Sequence, residues 1–437
     1  MFLFVHIPAL AKTIIILVIA VATLLGIMIR PFKLNEATFA LAGAILILLL
    51  GLLTPQRAAI TLFQDWNTFL FFLGMMSLSA LAEVAGLFDW AATQAARLSG
   101  NSSRRLFFNI FLLGTLISTL LSNDATALIL TPIVYTLVTR LKLPVLPFLF
   151  ACTFIADTAS FILPVSNPIN IIILSRYSLN LLTFARLLLL PSIVAISINI
   201  GVFFFLYRKN LRDSFDIKRL PSTEQTIKHK GYFRFVCVVL ALVAIAYIVA
   251  SATQIPLSIV SLGGSLLLLI GALRWKQTTL PNVGKQISWS IFGFIAGMFL
   301  VVQAVESTGL TTQFGQLLLH LSGNNGFGAV MIGTLGSALG TNVINNVPMA
   351  VVLNSSLQGI QHATPAVRYG FIGSAMFGCD LGPNLTTVGS LSTVLWLLIL
   401  RQRNLDVSGF DYFKIGLLVT PLMLVTGALA MWLLLPR

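Results

Sequence analysis

The sequence predicts an all-α polytopic membrane protein built as two inverted repeats. Each repeat holds five transmembrane helices plus one re-entrant hairpin, with broken helices meeting at the bilayer midplane. Three observations predict this. Of 437 residues, 57% are hydrophobic and only 9% charged, whereas ordinary soluble domains carry roughly a quarter charged residues. Apolar stretches near the ~20 residues that cross a bilayer recur along the whole chain. The chain also matches itself at an offset of 223 positions: Trp66 falls on Trp289, Glu83 on Glu306, Asn123 on Asn346 and Asp157 on Asp380. Gly74-Met75 falls on Gly297-Met298, and Ser99-Gly100-Asn101 on Ser322-Gly323-Asn324.

The first apolar stretch, Leu10–Ile29, is followed by Arg30 and Lys33 with no small-residue cleavage site, and reads as a retained helix rather than a signal peptide. Spans are expected near 9–29, 36–53, 66–86, 147–174, 187–207, 235–251, 257–273, 289–307, 367–400 and 413–436. The segments 106–140 and 327–360 are apolar but interrupted by polar tips, and read as half-helices that enter and leave by one face. The expected units are a first repeat over 1–207, a basic cytoplasmic linker over 208–234 and a second repeat over 235–437. In the first, the hairpin lies at about 106–140 and the broken helix at about 147–174; in the second, at about 327–360 and 367–400. Five crossings and a hairpin make an odd number, so the second copy must be inverted, the plan of carriers whose site lies where the repeats meet.

The formal charge is +14, and in a membrane chain basic residues mark the cytoplasmic side rather than a nucleic-acid partner. With the linker inside, this topology places 21 Lys and Arg on the cytoplasmic face and six, Lys12, Arg57, Arg176, Arg186, Arg368 and Arg437, on the other. A multi-pass protein of a bacterial cytoplasmic (inner) membrane follows, with both termini periplasmic. Cys152, Cys237 and Cys379 lie in apolar segments without metal-binding spacing. No cofactor, metal site or enzymatic centre is expected.

The functional residues are sought at four polar breaks. The first hairpin tip reads Ser122-Asn123-Asp124-Ala125-Thr126, N-cap residues that would start a helix halfway across the bilayer. The second reads Asn345-Asn346-Val347-Pro348, with the proline where a first helical turn tolerates it. The third break runs from Asp157-Thr158-Ala159-Ser160 to Pro164-Val165-Ser166-Asn167-Pro168, and the fourth from Cys379-Asp380 through Pro383-Asn384 and Thr386-Thr387 to Ser390. Prolines open helices by removing a hydrogen bond and crowding the preceding turn. Backbone groups freed in hydrocarbon are tolerable only where protein or a watery cavity satisfies them, so the four breaks should converge. Single Ser, Thr or Asn residues in membrane helices often only bridge neighbours. Asp124, Asp157 and Asp380 stand apart, because a mid-membrane carboxylate costs roughly 2.5–3.5 kcal/mol on insertion scales. Glu83 and Glu306 lie nearer span ends and read as interfacial or structural.

At these breaks the sequence resembles the arsenite/antimonite efflux permeases (ArsB). The stretches that carry it are Ser122–Val134, Phe154–Ser160, Asn345–Pro348 and Gly378–Asn384 running on to Ser390. The sequence departs from the family at Ala125-Thr126, associated there with Gly-Ala, and at Asn384, where a Lys is sometimes found. The resemblance implies export of arsenite and antimonite, as neutral trihydroxides, in exchange for protons, and in some bacteria pairing with a soluble arsenite-stimulated ATPase. Such a cargo has no charge to grip and would be held by hydrogen bonds. The candidate binding residues are Ser122, Asn123, Asp124, Thr126, Thr158, Ser160, Ser166, Asn167, Asn345, Asn346, Cys379, Asn384, Thr386, Thr387 and Ser390. Cys379 joins them as a soft donor, although isolated buried cysteines are ordinarily small hydrophobes. Asp157, Asp380 and Asp124 are the candidates for proton coupling, since withdrawal from water disfavours the charged carboxylate and brings proton exchange toward neutrality.

Two other classes share parts of this pattern. A sodium/proton antiporter or another carrier of the same superfamily would use similar oxygen ligands, though a dicarboxylate carrier would want cationic groups that these breaks lack. An intramembrane aspartyl protease also needs two aspartates, but neither Asp157 nor Asp380 stands in a Gly-x-Gly-Asp context.

Overall fold

A computed structural model describes residues 9–29, 31, 34–177, 179–211, 214–220, 222, 225–405 and 407–436. Arg30, Lys33, Arg212 and Arg437, used in the charge reading, lie outside the described residues, as does the Arg176 side chain. The N-terminal half runs α1 (Ala9–Ile29), α2 (Glu36–Leu49), α3 (Pro55–Gln64), α4 (Trp66–Val84), α5 (Leu87–Leu98) and α6 (Ser103–Leu120). It continues with α7 (Asn123–Ala125), which passes through a π-helical stretch (Thr126–Leu130) into α8 (Thr131–Arg140), then α9 (Val145–Thr158), α10 (Pro168–Tyr177) and α11 (Leu181–Tyr207). The C-terminal half runs α12 (Lys230–Thr253), α13 (Leu257–Arg274), α14 (Leu280–Gln286), α15 (Trp289–Glu306), α16 (Leu310–Leu321), α17 (Gly326–Ile344) and α18 (Asn346–Ser356). It ends with α19 (Pro365–Leu381), α20 (Leu391–Gln402) and α21 (Gly409–Leu433). Among the described residues the only β contact is an isolated bridge between Ser102 and Ser214.

Eight of these helices (α1, α4, α11, α12, α13, α15, α17 and α21) are long and apolar enough to cross a membrane by length and composition. At 147–174 and 367–400, where broken helices are expected, α9 and α10, and α19 and α20, are each joined through a segment that holds a short 3-10 turn. Four helices were not anticipated: α3, α5, α14 and α16. They have 7 to 12 residues, too short to span, and windows of spanning length average their polar faces away.

The self-match has a local cause. Helices α4, α5, α6 and α10 each begin 223 residues before α15, α16, α17 and α20. Gly86 and Gly309, both at φ 79°, turn the chain between the first two helices of each set. Gly100-Asn101 and Gly323-Asn324 are all left-handed, with φ between 52° and 61°, a conformation that favours glycine and tolerates asparagine. The repeated Ser-Gly-Asn is therefore a turn that needs these residue types.

The halves pack reciprocally. α4 lies along α13 and α15 along α2, while α1 covers α2 and α12 covers α13. The other helices form a second assembly, with α6 on α9, α17 on α19, and α11 on α21. The reciprocal contacts are close because matched glycines sit in them. A Cβ on Gly74 would meet Ser261 Oγ at 2.3 Å, and one on Gly297 would meet the Ala40 carbonyl carbon at 2.5 Å. The linker between the halves is strapped to the turn after α5: the Phe215 N–H donates to Asn101 O (3.1 Å), and Leu211, Phe215 and Leu220 are buried.

Overpacking at such a contact costs roughly 1–3 kcal/mol. Gly297→Val is therefore expected to lower the melting temperature in detergent, whereas Gly263→Val, whose Cβ meets nothing within 4 Å, should leave it nearly unchanged. Equal melting of the two variants would refute the close-approach account.

Candidate functional site

Both hairpin tips are capped helix starts. Ser122, in extended conformation, accepts from the Ala125 N–H (3.1 Å), and Asn123 Oδ1 accepts from the Asp124 N–H (2.9 Å). Thr126 bonds the Ser118 hydroxyl (2.7 Å) and opens the π-helical stretch, a distortion frequent at functional sites. In the second tip Asn345 has φ 73° and ψ 158°, a region that is strained by about 1–3 kcal/mol for a residue with a side chain. It is held there by its N–H to Thr341 O (2.9 Å) and by its side-chain amide donating to Val388 O (3.2 Å). The Asn346 N–H donates to Gly389 O (3.0 Å), which ties this tip to the fourth break.

The other two breaks are braced in the same way. Pro164 sits in a 3-10 turn, Pro168 begins α10, and Pro383 lies in the 3-10 turn after α19. Ser166 Oγ accepts from the Leu163 N–H (3.2 Å) and donates to Thr119 O (3.0 Å). Ser160 Oγ donates to Asp157 O (2.7 Å). Thr386 Oγ1 donates to Asn342 Oδ1 (2.6 Å). Thr158 Oγ1 accepts from Asn199 (2.8 Å) and from Asn384 (3.0 Å), joining the halves.

The aspartates complete the exchange between halves. Asp157 and Asp380 are each 1% exposed. Asp157 Oδ1 accepts from the Asn123 amide (3.3 Å) and from Ser392 Oγ (3.3 Å), and Ser392 in turn bonds the Ser390 hydroxyl. Asp380 Oδ1 accepts from the Asn167 amide (2.5 Å). In both carboxylates the second oxygen is buried without a hydrogen-bond partner. Among the described residues neither they nor Asp124 form an ion pair with Lys or Arg.

These contacts surround a pocket of about 40 Å³ lined by Asn123, Asp124, Asn167, Asn345, Asn346 and Ser390, with Ser392 and the apolar Phe72, Ile291 and Phe294. Six of the sequence-derived candidates thus face one space. Asp157, Asp380, Thr158, Ser160, Ser166, Asn384 and Thr386 brace it from behind, and Thr126 fixes the first tip. Cys379 and Thr387 line no part of it, and Cys379 is a buried free thiol. Among the described residues no group of three or more His, Cys, Asp or Glu is placed to hold a metal. Ser392 went unrecognised, although the polar run Ser390-Leu391-Ser392-Thr393 in an apolar segment marks it.

The profile of the arsenical pump membrane protein (ArsB) family matches residues 14–434. The chain belongs to the ArsB family. An arsenical pump membrane protein of Escherichia coli strain K12 is 33% identical over 415 residues, 94% of this chain and 96% of the relative. That of Yersinia enterocolitica is 34% identical over 368 residues, 83% of this chain and 85% of the relative. The fold is shared with the crystal structure of the Alcanivorax borkumensis YdaH transporter, at a TM-score of 0.58 and 12% identity, covering 97% of this chain and all of that one.

In this ArsB family member the central pocket adjoins a larger cavity. A cavity of about 250 Å³ shares Phe72, Asp124, Pro168 and Ile291 with it and widens past Met75, Ser79 and Ser122 toward Glu83, Gln286 and Ser288. The positions 223 residues away from Phe72, Met75, Ser79, Leu128 and Leu395 are Ile295, Met298, Val302, Val351 and Ile172. All five are buried in a single apolar cluster. Each matched pair therefore puts one member on the cavity wall and the other in a packed apolar cluster.

Removing one partner of a buried polar pair leaves the other unsatisfied, at about 1–3 kcal/mol, whereas removing both is nearly neutral. Asn167→Leu is expected to destabilise by that amount, and Asn167→Leu with Asp380→Leu to recover most of the loss. Strict additivity in this double-mutant cycle, read by thermal unfolding, would refute the pairing.

Proposed function

We propose that this chain exports arsenite and antimonite, as neutral trihydroxides, from the cytoplasm in exchange for protons. The observation that carries the reading is the central pocket, where asparagine and serine side chains from both halves converge without any cation. Its size supports the same cargo. A water needs roughly 10–15 Å³ of such volume, so about 40 Å³ suits three waters or one trihydroxide and leaves little room for a dicarboxylate. Amides and hydroxyls both give and accept hydrogen bonds, which matches a ligand that presents three O–H donors and several acceptors. The name shared by the Escherichia coli and Yersinia relatives, arsenical pump membrane protein, agrees with this cargo.

Asp157 and Asp380 are the proton carriers in this reading. Each has one oxygen fixed by a donor and one without a partner, the arrangement of a group that binds a proton without rebuilding its surroundings. Asp124, which lines both cavities, is the third candidate. The reciprocal packing of the halves supports inverted copies, and the basic linker and Gln286–Ser288 side supports a cytoplasmic opening. Exchange then alternates between the open vestibule and the apolar seal on the opposite face.

Everted membrane vesicles with an imposed pH gradient are expected to accumulate arsenite, and Asp157→Asn or Asp380→Asn to abolish gradient-driven uptake. Absence of arsenite uptake by the unaltered protein, or uptake that follows a sodium gradient instead, would overturn the cargo or the coupling. Full activity of both aspartate variants would remove them as carriers.

A further inference from the structure

Glu83 and Glu306 occupy matched positions, yet the structure puts them in different surroundings. Glu306 Oε2 accepts from Ser355 Oγ (3.1 Å) on α18, beside the apolar seal formed by Val302 and Val351. Glu83 is exposed at the rim of the 250 Å³ vestibule, across from Gln286 and Ser288. The vestibule walls are otherwise apolar or neutral, and its two charged lining residues, Glu83 and Asp124, are both acidic. The charges that act on Glu83 from outside are Asp89 and Lys228. Asp89 is negative and Lys228 positive, so the three groups together leave the rim with a net negative charge.

We propose that Glu83 is a charge filter for the substrate path: it turns oxyanions such as phosphate and arsenate away from the vestibule while neutral trihydroxides pass to the central pocket. The specificity follows from electrostatics in a confined space, where apolar walls concentrate the field of a single charge. At about 6 Å and an effective dielectric near 40, one unit charge repels another by a factor on the order of ten in local concentration. A divalent oxyanion is repelled correspondingly more. A neutral trihydroxide meets no such barrier, and its O–H groups can donate to the carboxylate on the way in. The proposal rests on the neutral-cargo reading above for its biological sense, but the field at the rim is measurable without arsenic.

The test uses Glu83→Gln, which keeps shape and removes charge at an exposed position. In a Cys237→Ser background, where the two other native thiols are buried, Ser288→Cys is labelled with cationic and anionic methanethiosulfonates of similar size. The cationic reagent is expected to react faster while Glu83 is present, and the rate ratio to fall on the order of tenfold in Glu83→Gln. An unchanged ratio overturns the filter. In everted vesicles, millimolar phosphate is expected to leave arsenite uptake by the unaltered protein intact and to inhibit Glu83→Gln competitively. Insensitivity of both proteins overturns the filter, as does an identical change in the Glu306→Gln control. Failure of the unaltered protein to take up arsenite sinks the cargo reading instead, and the thiol-labelling ratio then decides the filter alone.

Discussion

Helices that end inside an apolar interior expose backbone groups that must be satisfied there, and this chain is interrupted in this way at four polar breaks. The ends of α6, α9, α17 and α19 solve the problem with one another. Asn346 gives its N–H to Gly389 O, Asn345 its amide to Val388 O, Thr386 its hydroxyl to Asn342, and Ser166 its hydroxyl to Thr119 O. Each repair uses a residue from another break or hairpin: the second hairpin is tied to the fourth break, and the first hairpin to the third. The polar centre is the consequence, and the long uninterrupted helices α4, α13, α2 and α15 need no such repair. Their glycine-lined contacts form a separate layer beside it.

Duplication supplies two similar backbones, but the side chains at matched positions have diverged where it matters. Ser79 answers to Val302 and Asp124 to Val347. In the N-terminal half these positions are polar and border the vestibule; in the C-terminal half they are apolar, and Val302 is buried in the seal with Val347 packed against it. A cavity on one side of the match and a packed cluster on the other need only a few such differences, because apolar side chains exclude water from a gap that carboxylates and hydroxyls keep wet. The matched glutamates show the same divergence: one bonds a hairpin serine and the other faces open space.

Much of the fold was legible because it follows from local chemistry. Ser122 as an N-cap, Pro348 in a first turn, Pro168 at the start of α10 and the left-handed Ser-Gly-Asn turns are all decided by residue type within a few positions. The short helices α3, α5, α14 and α16 were not legible by spanning-length hydropathy, since they are shorter than a spanning window and α3, α5 and α16 carry a polar and an apolar side. Of the candidate site, Asn123, Asp124, Asn167, Asn345, Asn346 and Ser390 were found as polar interruptions of apolar segments. Phe72, Ile291 and Phe294 were not, because nothing in their immediate neighbours distinguishes them from packing; Ser392 does carry a signal, the polar run from Ser390 to Thr393.

By itself the sequence determined that the chain is a helical membrane protein in two matched halves, that four of its helices break, and which carboxylates lie at the breaks. It did so because hydrophobicity, proline and capping act within a helix turn or a membrane width. Only the tertiary structure decided which break partners which. Asn167 and Asp380 are 213 residues apart, as Asp157 and Ser392 are 235 apart, and no local rule relates them. It also decided that Glu83 borders a cavity while Glu306 bonds Ser355. That difference arises from the packing of neighbouring helices, and two identical residues at matched positions carry no trace of it.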